Sequence, residues 1–179
     1  LVQSAALLLG IVIYVLFTFI DVDVLAERRE LLFIFSALFI SMLFVWGDTQ
    51  NGNRSWLAFK WLPFNMQPAE FCKVFFILII AKTMSIKQDK ISNPLTLLQL
   101  AAITLALFGL IMAASSDLGV ALQYLLIFAV MAFVGGINLI WFLVVLGALI
   151  VASPFIFSHL RSDLQNRILM LFDPTIDTA

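Results

Sequence analysis

Histidine and cysteine are almost missing from this chain, with His159 and Cys72 the single examples among 179 residues. One cysteine inside an apolar run excludes a disulfide framework and a cysteine metal site. One histidine excludes a histidine-cluster metal site. Charge is scarce too: 12% of residues are charged and the formal net charge is -1, which removes any electrostatic case for nucleic acid as a partner. No charged-then-apolar leader with a small-residue cleavage site opens the chain. It begins at Leu1 rather than Met and is apolar from the start, as expected of a sequence cut from a longer protein. Internal repeats are absent, and no low-complexity segment exceeds an apolar run.

What the chain has instead is hydrocarbon. Apolar residues make up 63%, Phe occurs 18 times, and mean hydropathy is +1.11. Soluble domains run nearer half apolar and a quarter charged. A soluble core could not hide so many apolar side chains without leaving large sticky patches. The composition therefore predicts an all-α, polytopic integral membrane protein. A spanning helix needs about 20 mostly apolar residues to cross a hydrocarbon layer about 30 Å thick. Six stretches meet this, near 4–20, 31–46, 67–84, 95–114, 118–135 and 138–157. Each is apolar all round rather than striped, as expected of helices packed on lipid and on one another.

The connections are a charged linker (Asp21 to Glu30), a polar loop (Gly47 to Asn65), a basic turn (Ser85 to Pro94), Ser115-Ser116-Asp117, a tight Gly135-Gly136 turn and a tail from Ser158. Arg28, Arg29, Lys82, Lys87 and Lys90 fall on one side, Arg54, Lys60, Arg161 and Arg167 on the other. Five against four is a slender bias under the positive-inside rule, favouring a cytoplasmic first set and an outer polar loop, Ser-Ser-Asp turn and tail.

Several polar residues sit where chemistry could occur. Asn51-Gly52 reads as a turn, Trp56 as an interfacial aromatic, and Pro68 fits the first position of a helix. Gln67, Glu70 and Lys73 then recur at helical spacing on one face. A charge central in a span costs roughly 2.5–3.5 kcal/mol, so such groups face the protein and need partners. The plain reading of Glu70 is a helix N-terminus paired with Lys73, and it stands level with a substrate-lining role. Asp117 reads first as a helix N-cap, and Gln123 as a helix–helix contact. The tail, Arg161 to Asp177, reads as an amphipathic surface segment, and nothing in its chemistry ranks Asp177 above Asp173 or Asp163.

In order along the chain, Asn51-Gly52, Trp56, Gln67-Pro68-Ala69-Glu70 with Lys73, Asp117-Leu118-Gly119, Gly135-Gly136 and Arg167-Ile168 with Pro174 and Asp177 resemble the SEDS family of RodA, FtsW and SpoVE proteins. Ser55 stands where many members carry an arginine before the tryptophan, and Ser115-Ser116 where many carry Gln-Pro. The resemblance implies a ten-span fold of which this chain supplies the second to seventh spans, with 158–179 opening a large extracytoplasmic loop. It implies polymerisation of lipid II, transferring glycan from an undecaprenyl-pyrophosphate donor to the 4-hydroxyl of an acceptor GlcNAc. Asp177 matches the family's essential loop aspartate and would act as general base or position the attacking hydroxyl. Trp56, Gln67, Glu70, Lys73, Asp117 and Arg167 are the expected substrate-binding residues. The leaving pyrophosphate would be stabilised by Arg167, Arg54 or Lys73, or by a divalent cation from solvent; no other cofactor is expected. The implied surroundings are the bacterial cytoplasmic membrane and a class B penicillin-binding protein. A flippase for the lipid-linked precursor, or a scaffold recruiting the penicillin-binding protein, is the competing expectation. The chain alone is expected to be inactive.

Overall fold

A computed structural model describes residues 2–50, 53–58, 65–159 and 165. Helix α1 covers Val2–Thr18, α2 Val22–Glu27, α3 Arg29–Ser41 and α4 Leu43–Trp46; strands β1 (Gly47–Gln50) and β2 (Asn53–Leu57) follow. Then come α5 (Pro68–Ile86), α6 (Pro94–Ser115), α7 (Leu118–Val134) and α8 (Leu139–His159). Two compact units result, Leu1–Ile137 and Asn138–Ala179.

Helix ends follow local chemistry. Asp21 caps α2, its Oδ1 accepting from the amides of Asp23 (2.9 Å) and Val24 (3.4 Å). The segment expected as a charged linker is therefore partly helical, because Asp21 satisfies amides that an extended chain would leave to solvent. Asn93 caps α6 through Leu95 N at 2.9 Å. Pro68 and Pro94 open α5 and α6 at positions where a missing N–H is harmless. At the end of α7, Gly136 takes φ 83°, which lets Ile137 N reach Ala132 O and Gly136 N reach Phe133 O. This closes the helix with a left-handed glycine, as the Gly-Gly pair predicts.

In the first unit the buried side chains form narrow stripes on otherwise exposed helices. Leu32, Ser36 and Ile40 of α3 meet an α5 stripe that includes Cys72, Phe76 and Ile79. On α6 the stripe is Thr96, Leu100, Thr104, Leu107 and Ile111. Outside the stripes, large apolar side chains point away from the protein: Leu38 is 65% exposed, Leu98 66% and Leu126 65%. In water that arrangement would aggregate; in lipid it is the stable one. Arg29–Trp46 and Pro94–Ser115 are each long and apolar enough to cross a membrane. The buried stripes also hold hydroxyls, and three of them return to their own helix: Thr83 Oγ1 donates to Ile79 O (2.7 Å), Thr104 Oγ1 to Leu100 O (2.9 Å) and Ser115 Oγ to Ile111 O (2.8 Å).

The second unit is described through α8, whose N-terminus is capped by Asn138 Oδ1 accepting from Ile140 N (3.0 Å). Pro154 lies inside this helix and withholds the amide that Ile150 O would otherwise receive. Ser153 Oγ donates to Ile150 O at 2.8 Å and takes over that bond.

The connection 47–65, expected as a polar loop, is built on a β-hairpin. Gly47 pairs with Leu57, Asp48 with Trp56 and Gln50 with Asn53, with a register irregularity between Asp48 and Gln50. Leu57 also exchanges backbone hydrogen bonds with Met66 at 2.7 and 3.1 Å. The Asn51-Gly52 turn itself lies outside the described residues, but its flanking strands explain the choice of residues, since Asn-Gly is the strongest short hairpin signal.

Candidate functional site at the hairpin end of the bundle

Strand alternation decides which hairpin side chains enter the protein. Ser55 and Leu57 are buried at 2% and 1% exposure, while Arg54 and Trp56 lie on the other face of the strand. Arg54 turns back, its Nε donating to Gly47 O at 3.0 Å. Ser55 points inward and donates through Oγ to Asp117 Oδ2 at 3.0 Å.

Asp117 is the hub of this end. Helix α6 stops at Ser116, which takes a left-handed φ of 56°, and α7 starts two residues later. That short joint leaves Asp117 as the N-cap of α7, with Oδ1 accepting from Val120 N at 3.2 Å. Its backbone N–H donates to Ser115 Oγ at 3.3 Å. Oδ2 is free to look outward from the cap and accepts from Ser55 and from Gln67 Nε2 (3.4 Å). One carboxylate thereby joins the hairpin, the entry to α5 and the start of α7. Among the described residues it has no cationic partner; neutral donors and the positive end of the α7 dipole hold its charge.

A second polar pair lies one turn further along α5. Glu70 Oε2 and Lys73 Nζ form an ion pair at 2.6 Å, and Lys73 also donates to Gln123 Oε1 of α7. The plain reading of Glu70 is the one seen: it sits in the first turn of α5 paired with Lys73, which carries the contact across to a second helix. Tyr124, next to Gln123, is fully buried and donates its hydroxyl to Ala69 O at 2.7 Å. Its ring packs on Phe76 with centroids 4.9 Å apart, which fixes the separation of α5 and α7.

Of the residues singled out in the sequence, Gln67 and Asp117 touch directly and Glu70 and Lys73 touch each other. Trp56 is half-buried on the strand face opposite Ser55, so it does not enter the Asp117 cluster. Arg167 and Asp177 lie outside the described residues. Among the described residues no three His, Cys, Asp or Glu side chains come together, so they supply no ligand set for a divalent cation. Sequence reasoning passed over Ser55, since no hydropathy alternation in Asn53–Leu57 marks a polar residue there as inward-facing, and placed Gln123 only as a helix contact.

Comparison with known proteins fits this arrangement. The profile of the cell cycle protein family that takes in FtsW, RodA and SpoVE matches residues 1–179. A probable peptidoglycan glycosyltransferase FtsW from Allochromatium vinosum is 31% identical over 133 residues, covering 69% of this chain and 33% of that protein. A peptidoglycan glycosyltransferase RodA from Treponema pallidum is 31% identical over 133 residues, covering 73% and 29%. The chain therefore spans about a third of the length of these curated relatives. A chain of a peptidoglycan synthase complex that coordinates polymerisation and crosslinking superposes with a TM-score of 0.82 at 31% identity, covering 98% of this chain and 51% of that one. The rod shape determining protein RodA of Thermus thermophilus superposes with a TM-score of 0.68 at 32% identity, covering 83% and 48%. The fold is a multi-span membrane helix bundle, and the chain belongs to the FtsW, RodA and SpoVE family of cell cycle proteins.

Proposed function

We propose that the full-length protein polymerises lipid II, moving glycan from an undecaprenyl-pyrophosphate donor to the 4-hydroxyl of an acceptor GlcNAc. The observation that carries this reading is the match of the whole chain to a family whose relatives are named peptidoglycan glycosyltransferases. The apolar outer surface of the bundle supports it, because a prenyl-linked donor can stay in lipid while its sugars reach the polar end. In this reading the helices cross the bacterial cytoplasmic membrane, with the hairpin and the loop that begins near residue 158 on the outer face.

Asp177 is the proposed catalytic base or positioning group for the attacking hydroxyl. Arg167 and Lys73 are proposed to meet the charge of the leaving pyrophosphate. Lys73 starts from an ion pair with Glu70, so substrate would bind it by exchanging one anion for another. Asp117 and Gln67 hold the hairpin in place beside that cation, and Trp56 offers an aromatic face at the membrane–water boundary. A divalent cation would enter with the pyrophosphate, and a class B penicillin-binding protein is the proposed partner. That partner fits the similarity to a complex coordinating polymerisation and crosslinking.

The test is Asp177→Asn in the full-length, partner-bound protein, assayed for glycan polymerisation from lipid II. A fall of about 100-fold or more is expected for loss of a general base. Undiminished polymerisation would remove Asp177 from the catalytic role.

A further inference from the structure

At the end of the first unit that carries Arg29, helices α3, α5 and α6 form the walls of a half-open cavity of about 280 Å³. Arg29, Glu30 and Gln99 give it polar groups, and Phe33, Ile79 and Ile103 line it with hydrocarbon. Arg29 is the first residue of α3, and its Nη1 is buried without a hydrogen-bond partner. A buried guanidinium N–H left unpaired costs more than an ordinary missing bond, because the group is charged and has lost its water. Glu30 beside it is exposed and forms no ion pair with Arg29 among the described residues. The cavity is therefore lined by a cation and an anion, neither of them in an ion pair among the described residues, above an apolar wall.

We propose that this cavity holds the headgroup and upper acyl chain of a phospholipid that carries both a phosphate and a primary ammonium. The phosphate oxygens pair with the guanidinium of Arg29 where it lines the cavity, in the planar, charge-assisted geometry that a guanidinium favours. The ammonium donates to the Glu30 carboxylate, which would repel a headgroup bearing phosphate alone. Phe33 and Ile103 lie a turn deeper on their helices than Arg29 and Gln99, as a chain entering the hydrocarbon requires. A volume of about 280 Å³ admits a headgroup with the first part of a chain rather than a whole lipid, so the rest of the tail stays in the bilayer. The inference rests on the helices being membrane spans and not on the proposed chemistry, so the two stand or fall separately.

Native mass spectrometry of the full-length protein, released from bilayers of defined lipid, tests it. Wild-type protein is expected to retain one phosphatidylethanolamine in preference to phosphatidylglycerol and phosphatidylcholine. Arg29→Met should lower retention about tenfold, the loss of one charge-assisted pair. Glu30→Gln should keep a bound lipid but erase the preference over phosphatidylglycerol. Gln99→Phe fills the cavity without touching either charge and should expel the lipid from protein that still elutes as a single species. The proposal is overturned if wild type retains no lipid or retains all three equally, or if Arg29→Met and Gln99→Phe bind as wild type does. Displacement by millimolar glycerophosphoethanolamine would also overturn it, assigning the cavity to a soluble phosphate.

Discussion

Asp117 carries two jobs on two oxygens, and substitutions can separate them. Oδ1 caps α7, while Oδ2 collects Ser55 and Gln67. Asp117→Ala removes the cap and strands a buried serine hydroxyl, so a loss of about 2–4 kcal/mol is expected. Asp117→Asn keeps a capping oxygen but turns a donor toward donors; Ser55 can reverse its role while Gln67 must turn over its amide, at about 1 kcal/mol. Thermal unfolding of the purified full-length protein should rank wild type above Asn and Asn above Ala. An Asn variant as stable as wild type would reduce Asp117 to a cap alone, and equal losses would mean that it acts through Oδ2 alone. The neighbouring Ser116 gives a prediction of opposite sign. A side chain at φ 56° costs about 1 kcal/mol, so Ser116→Gly should raise the melting temperature, and Ser116→Val should lower it. The N-cap was legible in the sequence because a Ser-Asp pair between two apolar runs has few other uses. The partner on Oδ2 was not, since Ser55 lies 62 residues earlier and reaches Asp117 only through the hairpin.

At the level of elements, apolar periodicity located the helices but not their faces. With nearly every position hydrophobic, no moment separates a lipid face from a packed one. The hydroxyls did carry that information: Ser36, Thr83, Thr96 and Thr104 are all buried, on the stripes where α3, α5 and α6 pack. The hairpin shows a different limit. Read by composition, 47–65 is a loop; the Asn51-Gly52 pair is its one hairpin signal, and the structure places strands at 47–50 and 53–57 on either side of it. Gly47 makes that hairpin possible. A Cβ there would stand 2.5 Å from Leu43 O and 2.8 Å from Arg54 Cγ, and the first of these is backbone that cannot step aside. Gly47→Ala is expected to cost about 1–3 kcal/mol and to loosen the strand that presents Ser55. Hydrogen exchange should show the loss as faster exchange at Trp56, whose amide faces β1 opposite Asp48, with α6 unchanged; unaltered hairpin protection would mean that the junction relaxes freely.

For the whole molecule the open question is direction across the membrane, and α5 answers it best. Its 19 residues reach roughly 28 Å at 1.5 Å per residue, close to the hydrocarbon thickness. Three charges keep it from reading as a plain apolar span, yet all lie near its ends: Glu70 and Lys73 in the first two turns, Lys82 in the last two. End charges can extend toward the interface, so a spanning α5 needs no buried unpaired ion. The hairpin and the turn after Ile86 must then lie on opposite sides. Thr49 and Gln88 are exposed in those two connections, and Cys72, the single cysteine of this sequence, is buried and can be replaced by alanine. In that background, Thr49→Cys should react with an impermeant maleimide on intact cells, and Gln88→Cys only after permeabilisation. The reverse pattern would invert the topology and move the Asp117 cluster to the cytoplasmic face, away from any extracytoplasmic acceptor glycan. Labelling of both from one side would mean that α5 does not cross, and the slender five-to-four charge bias would then have no span to orient.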